Sequence, residues 1–182
     1  MLARKVHESG YIPEHVLYVE RVGLFPGCEV AKYFDCTISG IATNRSGTSV
    51  KSQIKIVLRY LPRSVTHFLR NLEIRSNIHG ISKERNVCVE DKMPPKGKKL
   101  LVVDDALDTG YSLKAVVDFL MTHGYAVDNI RTAVITTTQK NPVWHPDISL
   151  FNQVIFAFPW SYDSKEYNEC WERYKLLKRK IA

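Results

Sequence analysis

Leu100-Leu101-Val102-Val103-Asp104-Asp105-Ala106-Leu107-Asp108-Thr109-Gly110-Tyr111-Ser112 is the stretch on which the fold turns. Its four consecutive apolar residues follow Lys96-Gly97-Lys98-Lys99 and predict a strand buried on both faces. Successive strand side chains point to opposite sides, so an unbroken apolar run leaves neither side to water. Two carboxylates stand where that strand should end. A short loop follows with Thr109, Gly110 and Ser112. Leu113, Val116, Val117 and Leu120 then recur at helical spacing, with Gly124 as the C-terminal stop. Strand, loop and helix in this order is the layout in which α/β sheets bind ligands at the carboxyl ends of their strands. The glycine lets backbone approach a ligand, the hydroxyls donate, and the helix N-terminus offers unpaired amides. Together these suit a phosphate.

Asp104 and Asp105 would repel an anion that they touched. They make sense if they hold hydroxyl groups, or a metal, beside the phosphate. A ribose 5-phosphate presents both parts. In its full register, an apolar strand, two acids, two residues and Asp-Thr-Gly-Tyr-Ser, the stretch resembles the signature of type I phosphoribosyltransferases. That segment in the family binds phosphoribosyl pyrophosphate (PRPP). The resemblance implies that Ala106, Leu107, Asp108, Thr109, Gly110, Tyr111 and Ser112 receive the 5-phosphate. It implies that Asp104 and Asp105 fix the ribose hydroxyls and hold Mg²⁺, directly or through water. It also implies that Asp108 is the general base that handles the proton of a purine. The plain alternative for Asp108 is capping of its own turn.

At 182 residues, one domain spanning 1–182 is expected, and a 45% hydrophobic content is enough for a packed core. The formal net charge of +7 is compatible with anionic substrates, with nucleic acid, or with simple solubility. Cys28, Cys36, Cys88 and Cys170 form no CxxC pair and no ligand cluster, which predicts reduced thiols in a cytoplasmic protein. No signal peptide and no membrane span is expected. The six histidines show no metal spacing and no Ser/His/Asp grouping, which argues against a hydrolase.

Upstream, Val16-Leu17-Tyr18-Val19 reads as a second buried strand, and Glu29 to Phe34 as a helix. Between them Gly23, Pro26 and Gly27 punctuate a turn that carries Arg21. This resembles the pyrophosphate loop of the same family, with Arg21, Val22 and Gly23 as its binding residues. Val22 stands where the family usually has glycine. Cys36 to Ala42 predicts a further strand, and residues 44–49 a loop placed where family members close over the reacting centre.

Beyond that loop, Ile54, Val57, Leu58 and Leu61, then Val65, Phe68, Leu69 and Leu72, predict two helices divided at Pro62, a helical insertion at about 50–80. Lys51, Lys55, Arg59 and Arg63 recur every four residues as a basic stripe. A solvated face, an anion-attracting rim, an oligomer contact and an RNA-binding face are all compatible with it. No stacking aromatics interleave with the charges, which weighs against RNA.

Residues 85–91 predict a strand returning to the core, and Ile130 to Thr138 a β-branched strand followed by Lys140. By the resemblance, Lys140 meets the 6-oxo group of a purine. Trp144-His145-Pro146-Asp147 and the segment Val154 to Ser161 resemble the hood of bacterial and archaeal purine enzymes of this type, here about 141–162. Ile155, Phe156 and Trp160 are then the base-binding residues, with Ile155 where xanthine-guanine enzymes place a tryptophan. Ser164 to Ile181 predicts an amphipathic helix with Tyr167, Trp171 and Tyr174 on one face.

The expectation is an α/β fold with a largely parallel twisted sheet flanked by helices, a helical insertion and a small hood. The implied activity is transfer of 5-phosphoribosyl from PRPP to a 6-oxopurine with Mg²⁺ as cofactor, in a homodimer or higher homo-oligomer. Two rivals stand beside it. One is a PRPP-binding regulator that binds nucleic acid, and the other is a phosphoribosyltransferase for a different acceptor.

Overall fold

A computed structural model describes residues 1–45, 85–89, 91–161 and 164–181. The chain divides into two compact units, residues 1–43 with 87–182, and residues 44–86. The predicted helical insertion, with Lys51, Lys55, Arg59 and Arg63, lies outside the described residues, as does most of the loop expected at 44–49.

In chain order the elements are α1 (Leu2–Glu8), β1 (His15–Val19), α2 (Leu24–Phe34), β2 (Thr37–Arg45), β3 (Arg85–Val89), β4 (Leu100–Leu107), α3 (Tyr111–Thr122), a 3₁₀ turn (Val127–Asn129), β5 (Ile130–Thr137), β6 (Ile148–Phe151) and α4 (Tyr167–Ile181). The six strands form one sheet in the order β3-β2-β1-β4-β5-β6. The pairs β1–β2, β1–β4, β4–β5 and β5–β6 are parallel. β4 behaves as its sequence demands. Leu100 and Val102 join Leu17, Leu113, Val116 and Leu120 in the core beneath α3. Leu101 and Val103 face the other way, with Val6, Val16, Val30 and Ala31 beneath α1 and α2. All four are fully buried, so the unbroken apolar run serves two cores at once.

The strand order explains where a site can form. From β1 the chain winds outward to β2 and β3, then returns to the opposite side of β1 as β4 and winds outward to β5 and β6. β1 and β4 are neighbours, in a register that pairs Tyr18 with Val103. The loops leaving their carboxyl ends therefore diverge and open a crevice between them, the switch point where open α/β sheets take ligands.

One reading of the sequence needs correction. Pro26 and Gly27 do not belong to the turn before α2; the helix already begins at Leu24 and includes them. Proline is tolerated there because first-turn amides have no partner within the helix. Gly27 is selected by packing, since a Cβ there would lie 3.0 Å from the Cβ of Tyr18. The amino-terminal segment, too mixed to assign from sequence, forms α1, whose Leu2, Ala3 and Val6 are buried.

Candidate active site

The predicted residues gather at the carboxyl edge of the sheet. β4 delivers Asp104 and Asp105 at its end, and the following loop carries Asp108 and Thr109 into α3. Gly110 is the N-cap of α3, with φ at 84°, a left-handed conformation that L side chains rarely adopt. A Cβ at Gly110 would also lie 2.8 Å from the backbone N and O of Trp144, so this glycine lets the segment around Trp144 press onto the loop before α3. The amide of Val143 donates to the Thr109 carbonyl at 2.8 Å and closes that contact. No side chain caps α3. Its first-turn amides at Tyr111, Ser112 and Leu113 have no acceptor within the helix, which favours an anion at this end.

The two adjacent acids have different surroundings. Asp105 is 9% exposed. One of its oxygens accepts the Ala106 amide at 2.7 Å, and the other accepts the indole N–H of Trp160 at 2.8 Å. Burial pushes its carboxyl above the usual range, while the Trp160 N–H, the Ala106 amide and Asp104 pull the other way. Asp104 is half-buried and accepts the Asp105 amide at 2.9 Å. Asp108 is exposed, and its Oδ1 accepts from the hydroxyl of Thr138, at the end of β5, at 2.8 Å. That hydrogen bond comes from the neighbouring strand end rather than from the turn that Asp108 begins. The amide of Thr138 in turn donates to the Leu107 carbonyl at 2.9 Å.

On the β1 side, Glu20, Arg21, Val22 and Gly23 form the loop into α2, and the Glu20–Arg21 peptide is cis. A Cβ on Gly23 would meet the Val19 carbonyl oxygen at 2.5 Å and that of Val103 at 2.8 Å, so this turn sits directly on the ends of β1 and β4. Arg21 is exposed and Val22 half-buried.

The base-side residues are more scattered. Lys140 is exposed just beyond β5, and Ile155 is 83% exposed. Phe156 lies 4.9 Å from Phe151 and 5.8 Å from Phe158, ring centre to ring centre. Trp160 has Phe158 stacked on it at 4.9 Å and Phe25 at 4.8 Å, so it can offer a ligand an edge but not a face. The hood is tied to β5 by the Val154 amide on the Thr137 carbonyl at 3.0 Å, and by the Thr136 hydroxyl on the Val154 carbonyl at 2.6 Å.

Sequence reasoning missed Thr138, Phe25, Glu20, Tyr174 and Lys178. Only Glu20 left a local sign, as a carboxylate closing an apolar strand. Two of its partners, Tyr174 and Lys178, lie more than 150 residues away, a separation that sequence spacing does not report.

The two acids, the loop into α3 and the turn after β1 thus meet at the switch point of a mostly parallel α/β sheet, the place where proteins of this class take ligands. The chain belongs to the phosphoribosyl transferase domain family, whose model matches residues 1–166. It is 24% identical over 129 residues to the xanthine phosphoribosyltransferase of Lactobacillus acidophilus, an alignment covering 70% of this chain and 66% of that relative. With the Lactobacillus helveticus xanthine phosphoribosyltransferase it shares 24% identity over 123 residues, covering 66% of this chain and 62% of the relative. The chain therefore spans just under two thirds of the length of these curated relatives. Among solved structures it is similar to a purine phosphoribosyltransferase from Pyrococcus horikoshii, with a TM-score of 0.60, 20% identity, and coverage of 88% of this chain and 84% of that one. A Helicobacter pylori xanthine-guanine-hypoxanthine phosphoribosyltransferase gives a TM-score of 0.59 at 17% identity over 92% of this chain and 88% of that one. These likenesses support the type I fold expected from the sequence.

Proposed function

We propose that the protein transfers the 5-phosphoribosyl group of PRPP to a purine base, a 6-oxopurine, giving a nucleoside monophosphate and pyrophosphate. The observation that carries this reading is the meeting, at one switch point, of the Asp104–Ser112 segment with the Glu20–Gly23 turn. Thr109, Gly110, Tyr111 and Ser112, with Ala106, Leu107 and Asp108 leading into them, receive the 5-phosphate through amides and hydroxyls at the start of α3. Asp104 and Asp105 accept the ribose hydroxyls. Asp105 has already spent one lone pair on each oxygen, so it orients the sugar from a fixed position, while Asp104 is the more accessible of the two. Arg21, Val22 and Gly23 receive the pyrophosphate.

The reaction breaks the bond between ribose C1 and the pyrophosphate oxygen and forms one between C1 and N9 of the base. The electron pair leaves with pyrophosphate, and the proton of the base passes to the carboxylate of Asp108. Positive charge develops on the ribose ring in the transition state, so fixed carboxylates beside the sugar contribute by electrostatic placement. Thr138 holds Asp108 in orientation for this proton transfer. Lys140 meets the 6-oxo group, and Ile155, Phe156 and the edge of Trp160 cover the base.

The donor set fits Mg²⁺. This ion takes one or two carboxylates and completes its shell with water and substrate oxygens, and Asp104 with Asp105 supplies such oxygens. When bound, Mg²⁺ neutralises charge on the departing pyrophosphate.

The test is pyrophosphate release from PRPP and Mg²⁺ with hypoxanthine, guanine, xanthine, adenine, orotate or uracil as acceptor. Turnover with at least one 6-oxopurine, and none with orotate or uracil, is the expected result. Release with none of the six overturns the proposal.

A further inference from the structure

Helix α4 begins at Tyr167, just past the residues that the family model matches, yet its side chains reach the turn at the end of β1. The ammonium of Lys178 donates to the hydroxyl of Tyr18 at 2.9 Å and to Oε1 of Glu20, and stands 3.5 Å from Oδ2 of Asp91. The hydroxyl of Tyr174 donates to Oε2 of Glu20 at 2.6 Å, and that of Tyr18 donates to Oε1 at 3.1 Å. The Glu20 side chain is 7% exposed. A carboxylate so buried is costly unless paired and hydrogen-bonded, and both of its oxygens are served by this group. Even the opposite wall is fitted to it: a Cβ on Gly40 would fall 2.6 Å from Oε1 of Glu20. Burial pulls the Lys178 ammonium down, but its bonds to Glu20 and Tyr18 more than offset this and hold it above the usual range. A second contact runs parallel to the first. Phe25, in the first turn of α2, lies 6.3 Å from the Tyr174 ring.

Glu20 is joined to Arg21 by a single peptide. Its carboxylate could not itself face a diphosphate without repulsion, and the three donors hold that charge away and neutralise it. We propose that α4 fixes the pyrophosphate-binding turn from behind, with Lys178 and Tyr174 as positioning residues that act through Glu20 on Arg21, Val22 and Gly23. The inference rests on the reading of that turn as the diphosphate site.

The experiment compares the full-length wild type with Lys178→Met and Tyr174→Phe by calorimetric titration with three probes in Mg²⁺: PRPP, inorganic pyrophosphate, and a purine nucleoside 5′-monophosphate (GMP, IMP or XMP). The nucleotide uses the 5-phosphate loop and the hood but carries no diphosphate. Lys178→Met should weaken PRPP and pyrophosphate roughly ten- to a hundredfold while leaving the nucleotide within about twofold, since small displacements of a binding loop cost that much. Tyr174→Phe, which removes one hydroxyl from an otherwise intact ring, should give a smaller loss with the same selectivity. Lys178→Arg should retain most of the affinity. Adding Glu20→Gln to Lys178→Met should recover part of it by removing the stranded charge. Unchanged PRPP and pyrophosphate affinity in both single variants overturns the inference alone. Equal loss of all three probes also overturns it, by showing only a general structural role. A wild-type protein that binds none of the three overturns the reading of the site, and the inference with it.

Discussion

Among the described residues Asp108 takes one hydrogen bond, from a hydroxyl on the neighbouring strand end, and it is exposed. A residue whose purpose was to cap its own turn would accept the amides of that turn instead. Asp108→Asn keeps the acceptor for Thr138 but removes the ability to take a proton. It should lower kcat by roughly 10²–10⁴-fold with PRPP affinity little changed, as loss of a general base does. Single-turnover kinetics with the best purine check this; a near-wild-type rate for chemistry in the folded variant would remove Asp108 from the mechanism. At this scale the sequence was most informative where the chemistry is local. Asp104, Asp105, Asp108 and Gly110 sit within one strand and one loop, so their spacing announced them. The partner of Asp105 was hidden, because Trp160 reaches it from 55 positions away. Nothing in the segment around Pro159 shows that the indole is sandwiched and spends its N–H on an acid.

Among the elements, β1 and β2 are joined by more than backbone. His15 opens β1, and its ring nitrogens lie 2.6 Å from the Thr37 hydroxyl and 2.7 Å from the Ser39 hydroxyl, both on β2. Burial, reinforced by the positive charge of Lys98, pushes this imidazole down to about 4. The unfolded chain takes up the proton near 6.5, whereas the folded strand does so only near 4. Stability from this group is therefore complete above the unfolded value and is lost as pH falls from 6.5 toward 4, by on the order of 3 kcal/mol in all. Urea unfolding at pH 7 and pH 4.5 should show a larger drop for the wild type than for His15→Gln, whose side chain does not titrate. Equal drops would mean that His15 charges freely in the folded state. The elements most legible in the sequence were those buried on both faces. β1, β4 and β5 are apolar or β-branched runs, and α3 is a clean helical stripe ended by glycine. α1 was not legible, because seven residues with three buried positions give too short a period to recognise. The start of α2 was misread because proline and glycine usually mark turns, and only the packing against β1 shows why they stand in a helix.

For the molecule as a whole, the proposed site draws on the ends of β1, β4 and β5 together with the hood, segments spread from Glu20 to Trp160. A ligand bridging them links parts of the chain that separate on unfolding. Mg²⁺ and PRPP at a hundred times the dissociation constant should stabilise the fold by about 2.7 kcal/mol, which corresponds to a rise of roughly 5–10 °C in Tm for a chain of this size. Thermal unfolding followed by circular dichroism checks this, and no rise at saturating PRPP would contradict a ligand spanning the crevice. The net charge of +7 suits such anions, and on the proposed reading the rise should persist at moderate salt, because fixed amides at the start of α3 are screened less than surface charges. The stacking of Trp160 between Phe158 and Phe25 has one more consequence. The chain has three tryptophans: Trp144 against Gly110, Trp160 on Asp105, and Trp171 with its ring 5.0 Å from that of Tyr174. Trp144 and Trp160 thus stand beside two separate segments of the candidate site, the start of α3 and the end of β4, while Trp171 stands on α4. Intrinsic fluorescence, read one tryptophan at a time through Trp→Phe replacements, should report a ligand's arrival at each of these segments without any added label.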